Sequence, residues 1–290
     1  MITYLDCMPC FLKQAIKCSE LLNLSAEKTK AVVDKVALTI PHLSMEQSPP
    51  FNSRSIYDAI QSITGIDDPF LAIKKESNDQ ALQLYPTAKK IVQNSPDPLL
   101  MSIHMAAAGN VIDYGTTQTI SSIITAFQNA LKQPFSVFCF ESFKEKLNHA
   151  NNILFLGDNA GEIVFDRLLI ETIGKPVTYA VRGFPIINDA LKQDAIDVGI
   201  DQLANLIDNG AGYPGTVLDK CSDTFKKAFD QADLIISKGQ GNFETLSDVN
   251  GPICMIFMVK CHQVIRHVQS LYKPEPPVQQ GQFVLGCSSG

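Results

Sequence analysis

No cluster of lysine and arginine stands out in this 290-residue chain, whose formal net charge is −6. A protein of that sign has no overall attraction to phosphate backbones or anionic lipid, which excludes nucleic acid and membrane surfaces as partners. No apolar run approaches the ~18 residues that read as a bilayer-spanning helix. The first residues also lack a basic stretch followed by an apolar one, so a cytoplasmic location is the expectation. The five histidines lack the paired spacing of a zinc hydrolase. Internal repeats and heptads are missing, and the only biased segment is a Pro/Gln-rich bridge over residues 273–282. What remains is a globular composition, 45% hydrophobic and 19% charged, sufficient for one large core or two modest ones. Nothing in it bears on oligomeric state.

The eight cysteines do not read as a disulfide framework, given the chain length and a reducing compartment. Cys139, Cys221, Cys254 and Cys287 stand singly and read as small core residues. Cys7-Met8-Pro9-Cys10 is a lone CxxC, which leaves a tetrahedral zinc site half built. It is either a turn whose thiols pack inward or an accessory metal or redox site. Cys18 and Cys261-His262 would complete such a site only if the fold brings them close.

The texture of the chain changes near residue 150. Up to Asn148 the apolar residues recur at three- and four-residue spacings, as in Phe11, Ile16, Leu21 and Leu22, which predicts helices. Turn formers at 48–53, 64–69 and 95–98 interrupt them as loops. From Asn151 onward, short apolar runs alternate with helical stretches: 153–156, 177–181, 206–207, 234–236, 253–259 and 283–285. The last run reads as an edge strand. This alternation predicts an α/β fold, a Rossmann-like and mainly parallel sheet over residues 151–290, preceded by an all-helical domain over 1–150.

Open α/β sheets keep their chemistry at the carboxyl ends of their strands. The run Ile153 to Leu156 ends in Gly157-Asp158-Asn159-Ala160-Gly161-Glu162, so Asp158 and Asn159 place two hard oxygen ligands at a strand tip. The next strand leads into Arg182-Gly183-Phe184-Pro185-Ile186-Ile187-Asn188-Asp189. Here Asp189 either caps a helix or faces Asp158 and Asn159 across a crevice. Two carboxylates and an amide oxygen suit Mg²⁺ or Mn²⁺ better than zinc. A third strand ends in Lys238-Gly239-Gln240-Gly241-Asn242-Phe243-Glu244. Its glycines, Gly239 first, let backbone amides approach an anion, and Lys238 offers a point charge to a phosphoryl oxygen. The spacing fits neither a P-loop nor a dinucleotide fingerprint.

Together these three motifs resemble the damage-control phosphatase family, long catalogued as domain of unknown function 89. Cys7-Met8-Pro9-Cys10, Ser53-Arg54-Ser55-Ile56-Tyr57 and the stretch Ala108 to Gly115 are similar to its microbial subgroup carrying a CxxC. The resemblance spans nearly the whole chain. It implies a helical domain packed on a Rossmann-like domain, and metal-dependent hydrolysis of phosphomonoesters. It further implies Asp158, Asn159 and Asp189 as ligands of Mn²⁺, Co²⁺, Ni²⁺ or Mg²⁺, and Lys238 as the phosphate-binding residue. The substrates it implies are small phosphorylated metabolites, either sugar phosphates or damaged phosphometabolites.

Ala160 bears on mechanism. An aspartyl-phosphate route usually sets a second acid two residues after the nucleophile, and alanine stands there, which favours direct attack by a metal-bound or metal-oriented water. Other roles stay open. Glu162 is a helix-start acid or a general base. Arg182 is a phosphate contact or a structural ion pair, and Asn242 and Glu244 bind a substrate hydroxyl or fix their loop. Asn110, with Asp113 three residues on, contacts substrate or makes an interdomain hydrogen bond. Two rival classes remain, a non-catalytic sugar-phosphate sensor and an α/β methyltransferase-like transferase. The second would want a glycine-rich loop after the first strand, where Asp158-Asn159 stands instead.

Overall fold

The computed structural model describes residues 1–111, 125 and 128–288; Asp113 lies outside them. Five helices open the chain: α1 (Met8–Leu21), α2 (Ala26–Thr39), α3 (Pro49–Thr64), α4 (Leu71–Gln93) and α5 (Pro98–Ala108). Their starts are chemically marked. Ser25, Ser48 and Asp97 each accept a hydrogen bond from the amide three residues on, meeting donors that a helix start leaves free. Two segments expected as loops, 48–53 and 95–98, are therefore helix beginnings. Proline is tolerated in the first turn, where no intrahelical N–H is required. The break expected at 64–69 is present, with Gly65 closing α3 in the left-handed conformation.

Seven strands form one sheet in the order β1-β7-β6-β5-β2-β3-β4. They are β1 (Phe135–Phe138), β2 (Ile153–Leu156), β3 (Val177–Val181), β4 (Asn205–Asp208), β5 (Leu234–Lys238), β6 (Ile253–Met258) and β7 (Phe283–Cys287). Between them run α6 (Phe140–His149), α7 (Glu162–Ile173), α8 (Lys192–Asp197), α9 (Asp223–Asp230), α10 (Gln240–Leu246) and α11 (His262–Tyr272). Strands β2 to β6 pair in parallel, β7 pairs antiparallel to β6, and β1 lies parallel to β7. β2 and β5 are buried along their whole length, as expected for a sheet covered on both faces.

Three expectations need correction. The boundary at 150 cuts through the α/β unit, because β1 at Phe135–Phe138 belongs to the sheet. Helices α4 and α5 likewise share a core with α7 and the sheet, while α1 to α3 pack their own core around Phe11, Val36 and Ile56. The 283–285 run is no edge strand, since β7 lies between β6 and β1. Finally, Cys254 and Cys287 are joined in a disulfide. They are direct partners in the β6–β7 register, a juxtaposition set by strand pairing across a sequence separation of 33. Among the described residues no helix is long and apolar enough to cross a membrane.

Candidate active site

The strand order reverses between β2 and β5: β3 and β4 extend the sheet on one side, β6 on the other. Such a switch point leaves a crevice beyond the carboxyl ends of the two strands. The loops after β2 and β5 meet there closely. Gly239 has a φ of +85°, and a Cβ on it would lie 2.0 Å from Oδ2 of Asp158, so only glycine fits. Gly157 is similarly constrained, since a Cβ there would lie 2.5 Å from the hydroxyl of Tyr179.

Asp158 and Asp189 come together, as the strand-tip reading expects. Asn159 and Asp189 form an isolated antiparallel bridge. The Ala190 amide donates to the Asp158 carbonyl at 2.8 Å and the Ala160 amide to the Asn188 carbonyl at 2.9 Å. Asp189 caps no helix, because α8 begins only at Lys192. Asn159 donates through Nδ2 to Oδ2 of Asp158 at 2.8 Å and to Oε2 of Glu162 at 3.2 Å. Arg182 lies beneath both acids, with Nε donating to Asp189 Oδ2 at 2.6 Å and Nη2 to Asp158 Oδ1 at 3.5 Å. Arg182 is thus a structural ion pair in this arrangement. Burial, then repulsion from Asp189 and Glu162, pushes the Asp158 carboxyl well above its ordinary range. Burial also raises that of Asp189, against the opposing pull of Arg182.

One carboxylate oxygen in this cluster has no partner: Oδ1 of Asp189 is buried without a hydrogen bond. An orphaned carboxylate oxygen beside a second buried acid and an amide is a donor set matched to one hard divalent ion. The residues therefore fit such a cation. Among the described residues no group of three or more His, Cys, Asp or Glu side chains is gathered to hold a metal, so the set rests on the two aspartates and the amide of Asn159, with the Glu162 carboxylate beside Asn159.

Lys238 takes a different place from the expected one. It is fully buried, and its ammonium donates to Glu162 Oε1 at 2.6 Å, Asp166 Oδ1 at 2.7 Å and the Ala106 carbonyl at 2.8 Å. Burial alone would lower its pKa, but the Asp166 and Glu162 carboxylates hold it above the ordinary value. The Asp166 carboxyl is itself pushed up to about 6 by burial, with Lys238 opposing the shift, and it accepts from the Tyr179 hydroxyl at 2.6 Å. Asn242 is also fully buried; its Oδ1 accepts from Arg182 and Thr216 and its Nδ2 donates to the Lys238 carbonyl, which fixes the loop. Glu162 joins the two parts of the chain, because Oε2 also accepts from Asn110 Nδ2 at 2.5 Å.

Above this buried layer opens a cleft of about 770 Å³. Asp158, Asn159, Glu162 and Asn110 line it at the floor, and Cys7 and Cys10 line the opposite wall with Cys261. Cys10 is exposed and Cys7 half-buried, and all three thiols are free. Burial pushes the Cys7 thiol up to about 11, with Glu244, Cys10 and Cys261 close enough to add to the shift. Among the described residues the one Lys or Arg that lines the cleft is Lys260, which sequence reasoning missed. It stands just past β6, on the same strand-end rim that singled out Asp158, and its charge partly opposes the upward shift that burial imposes on Asp158, Asp189 and Glu244. Glu244, 8% exposed, is raised by burial to about 7.

Residues 3–272 match the damage-control phosphatase ARMT1-like domain. A damage-control phosphatase of Archaeoglobus fulgidus is 36% identical over 220 residues, 73% of this chain and 76% of that protein. One from Pyrococcus horikoshii is 29% identical over 270 residues, 91% of this chain and 93% of the relative. A crystal structure of a DUF89 family protein from Pyrococcus horikoshii superposes with a TM-score of 0.88 at 28% identity, covering 99% of each chain.

Proposed function

The chain belongs to the damage-control phosphatase ARMT1-like domain family, and from that premise we propose that it is a metal-dependent phosphatase acting on phosphomonoesters of small metabolites. Sugar phosphates and chemically damaged phosphometabolites are the substrate classes in view. One observation carries the reading: Asp158 and Asp189 are buried together at the sheet's switch point, with Asp189 Oδ1 unpartnered, under a cleft whose lining cation is Lys260. The cleft is large enough for a phosphorylated metabolite, since small-molecule sites run from about 300 to 1,000 Å³.

Asp158, Asn159 and Asp189 would hold the divalent ion, Mn²⁺, Co²⁺, Ni²⁺ or Mg²⁺. Such an ion polarises a phosphoryl oxygen and lowers the pKa of water. The protein's own residues do the positioning. Lys260, at the cleft wall, neutralises phosphoryl oxygens in a loose transition state, the part that the sequence assigned to Lys238. Lys238 instead clamps Glu162, which in turn orients Asn159 and Asn110. Position 160 is the buried Ala160, so no second acid stands ready for the covalent route, and water attack is the reaction proposed.

The test is phosphate release from p-nitrophenyl phosphate by EDTA-treated protein, alone and with each metal restored. Activity is expected only with metal and is lost in Asp158→Ala and Asp189→Ala. Full activity in EDTA overturns the metal role. Substrate binding without any turnover, under every metal, returns the sensor reading.

A further inference from the structure

Among the buried polar side chains of helix α4, Ser77 bonds back to its own helix at Ile73, whereas Lys74 and Asn78, one turn apart and 1% and 3% exposed, reach outside it. Residues four apart share a helix face, and polar groups on a buried face are costly unless each meets partners. Their partners lie in, or brace, the two loops that bear the acidic pair. Asn78 Oδ1 accepts from the Gly161 amide at 2.6 Å, in the loop that holds Asp158 and Asn159. Gly161 opens α7 with a φ of 80° and no capping side chain, so the loop takes its acceptor from α4. Lys74 pairs with Asp194 at 3.1 Å and with Asp68 at 2.8 Å. Asp194 Oδ2 also accepts from the Leu191 amide at 2.9 Å, two residues beyond Asp189. Neither Lys74 nor Asn78 lines the cleft.

We infer that Lys74 and Asn78 are positioning residues: from behind the site, one rigid helix sets Asp158 and Asp189 relative to each other for the cation. The inference rests on the metal reading above. Its physical basis is that outer partners of metal ligands commonly carry about 10–100-fold of metal affinity. Lys74 and Asn78 act on backbone rather than on the carboxylates, so their effect is on where the ligands stand and not on ligand basicity. The loop-to-loop amide bonds lash the two loops together, and α4 anchors both to the core it shares with α7.

The experiment measures Mn²⁺ binding to the full chain by electron paramagnetic resonance of the free ion, together with hydrogen exchange over residues 157–162 and 186–191. Asn78→Leu, close in size but without an acceptor, is expected to bind Mn²⁺ roughly 10–100-fold more weakly and to exchange faster over 157–162. Asn78→Asp keeps the acceptor and is expected within about threefold of wild type. If leucine prevents folding, Asn78→Ser replaces it, because its hydroxyl is too short to reach Gly161. Lys74→Gln is expected to speed exchange over 186–191, and Lys74→Arg to restore it. A merely structural role would lower the unfolding midpoint and leave Mn²⁺ affinity unchanged well below it, and that result overturns the inference, as does Asn78→Asp behaving like Asn78→Leu. Wild type that takes up no Mn²⁺ overturns the metal reading and this inference together. Wild type that binds, with Asn78→Leu equal to it, overturns the positioning role alone.

Discussion

The floor of the cleft and its opposite wall are built in contrasting ways. The floor and the layer beneath it hold Asp158, Glu162, Asp166, Arg182, Asp189 and Lys238 at 7% exposure or less, most of their polar atoms bonded to one another or to buried amides and hydroxyls. The wall offers Asp6, Cys7, Cys10 and Gln14 from the helical part, half-buried or exposed, with Gln263 bonded to Asp6 as a cross-tie. In the low-dielectric floor a misplaced or missing charge is expensive, so its geometry is rigid. The wall is more exposed, so replacing its side chains is expected to cost little folding free energy. Chemistry common to many substrates fits the first kind of surface, and discrimination among them fits the second.

The sharpest test of that contrast is removal of a floor carboxylate. Asp158→Ala is expected to lower metal-activated phosphate release by roughly 10³-fold, with the chain still folded by circular dichroism. Lys238→Met tests the floor's charge balance, leaving Glu162 and Asp166 buried without their cation. The expected loss is about 3–5 kcal/mol of unfolding free energy in urea, and an unchanged midpoint would mean that the floor is wetter than described.

Glu244 lies at the border between the regions and gives the comparison a pH dependence. Its carboxyl ionises at about 7 in the folded chain against the ordinary 4.5. The unfolded chain therefore loses this proton first, and the group's contribution makes stability fall as pH rises through the window between those values. Glu244→Gln is expected to be more stable than wild type above pH 7 by up to roughly 3 kcal/mol and equal to it near pH 4. Chemical denaturation across pH reads this directly. Lys260→Ala, at the wall, should cost about 10–100-fold in kcat/KM with no change in unfolding midpoint, the inverse of Lys238→Met. The smallest effect belongs to Cys10→Ser, expected within about threefold on a small general phosphomonoester; a larger loss would move the thiol wall into the chemistry.

Much of this site is legible in the residues themselves. A four-residue apolar run that ends in Gly157-Asp158-Asn159 announces a strand tip with ligands, and the next strand supplies Asp189 on the same rim. What the pattern does not contain is direction. Lys238 is the last residue of β5 and points under the rim into carboxylates, whereas Lys260, just past β6, points into the cleft. Both are lysines at strand ends, and only the packing of α5 and α7 beneath the rim separates them. The pairing of Cys254 with Cys287 and the recruitment of Phe135–Phe138 into the sheet were hidden for a related reason, because strand register joins residues that are remote in the chain.

Sequence alone determined the α/β class, the six later strands and the acidic pair with its glycines, because these follow from local periodicity and from the backbone freedom that a tight strand exit demands. Tertiary structure alone decided which cation is buried and which faces the cleft, and it joined α4 to the loops of Asp158 and Asp189. Desolvation is the physical reason. A lysine's role depends on whether carboxylates or water surround it, and that is settled only when distant segments close over it.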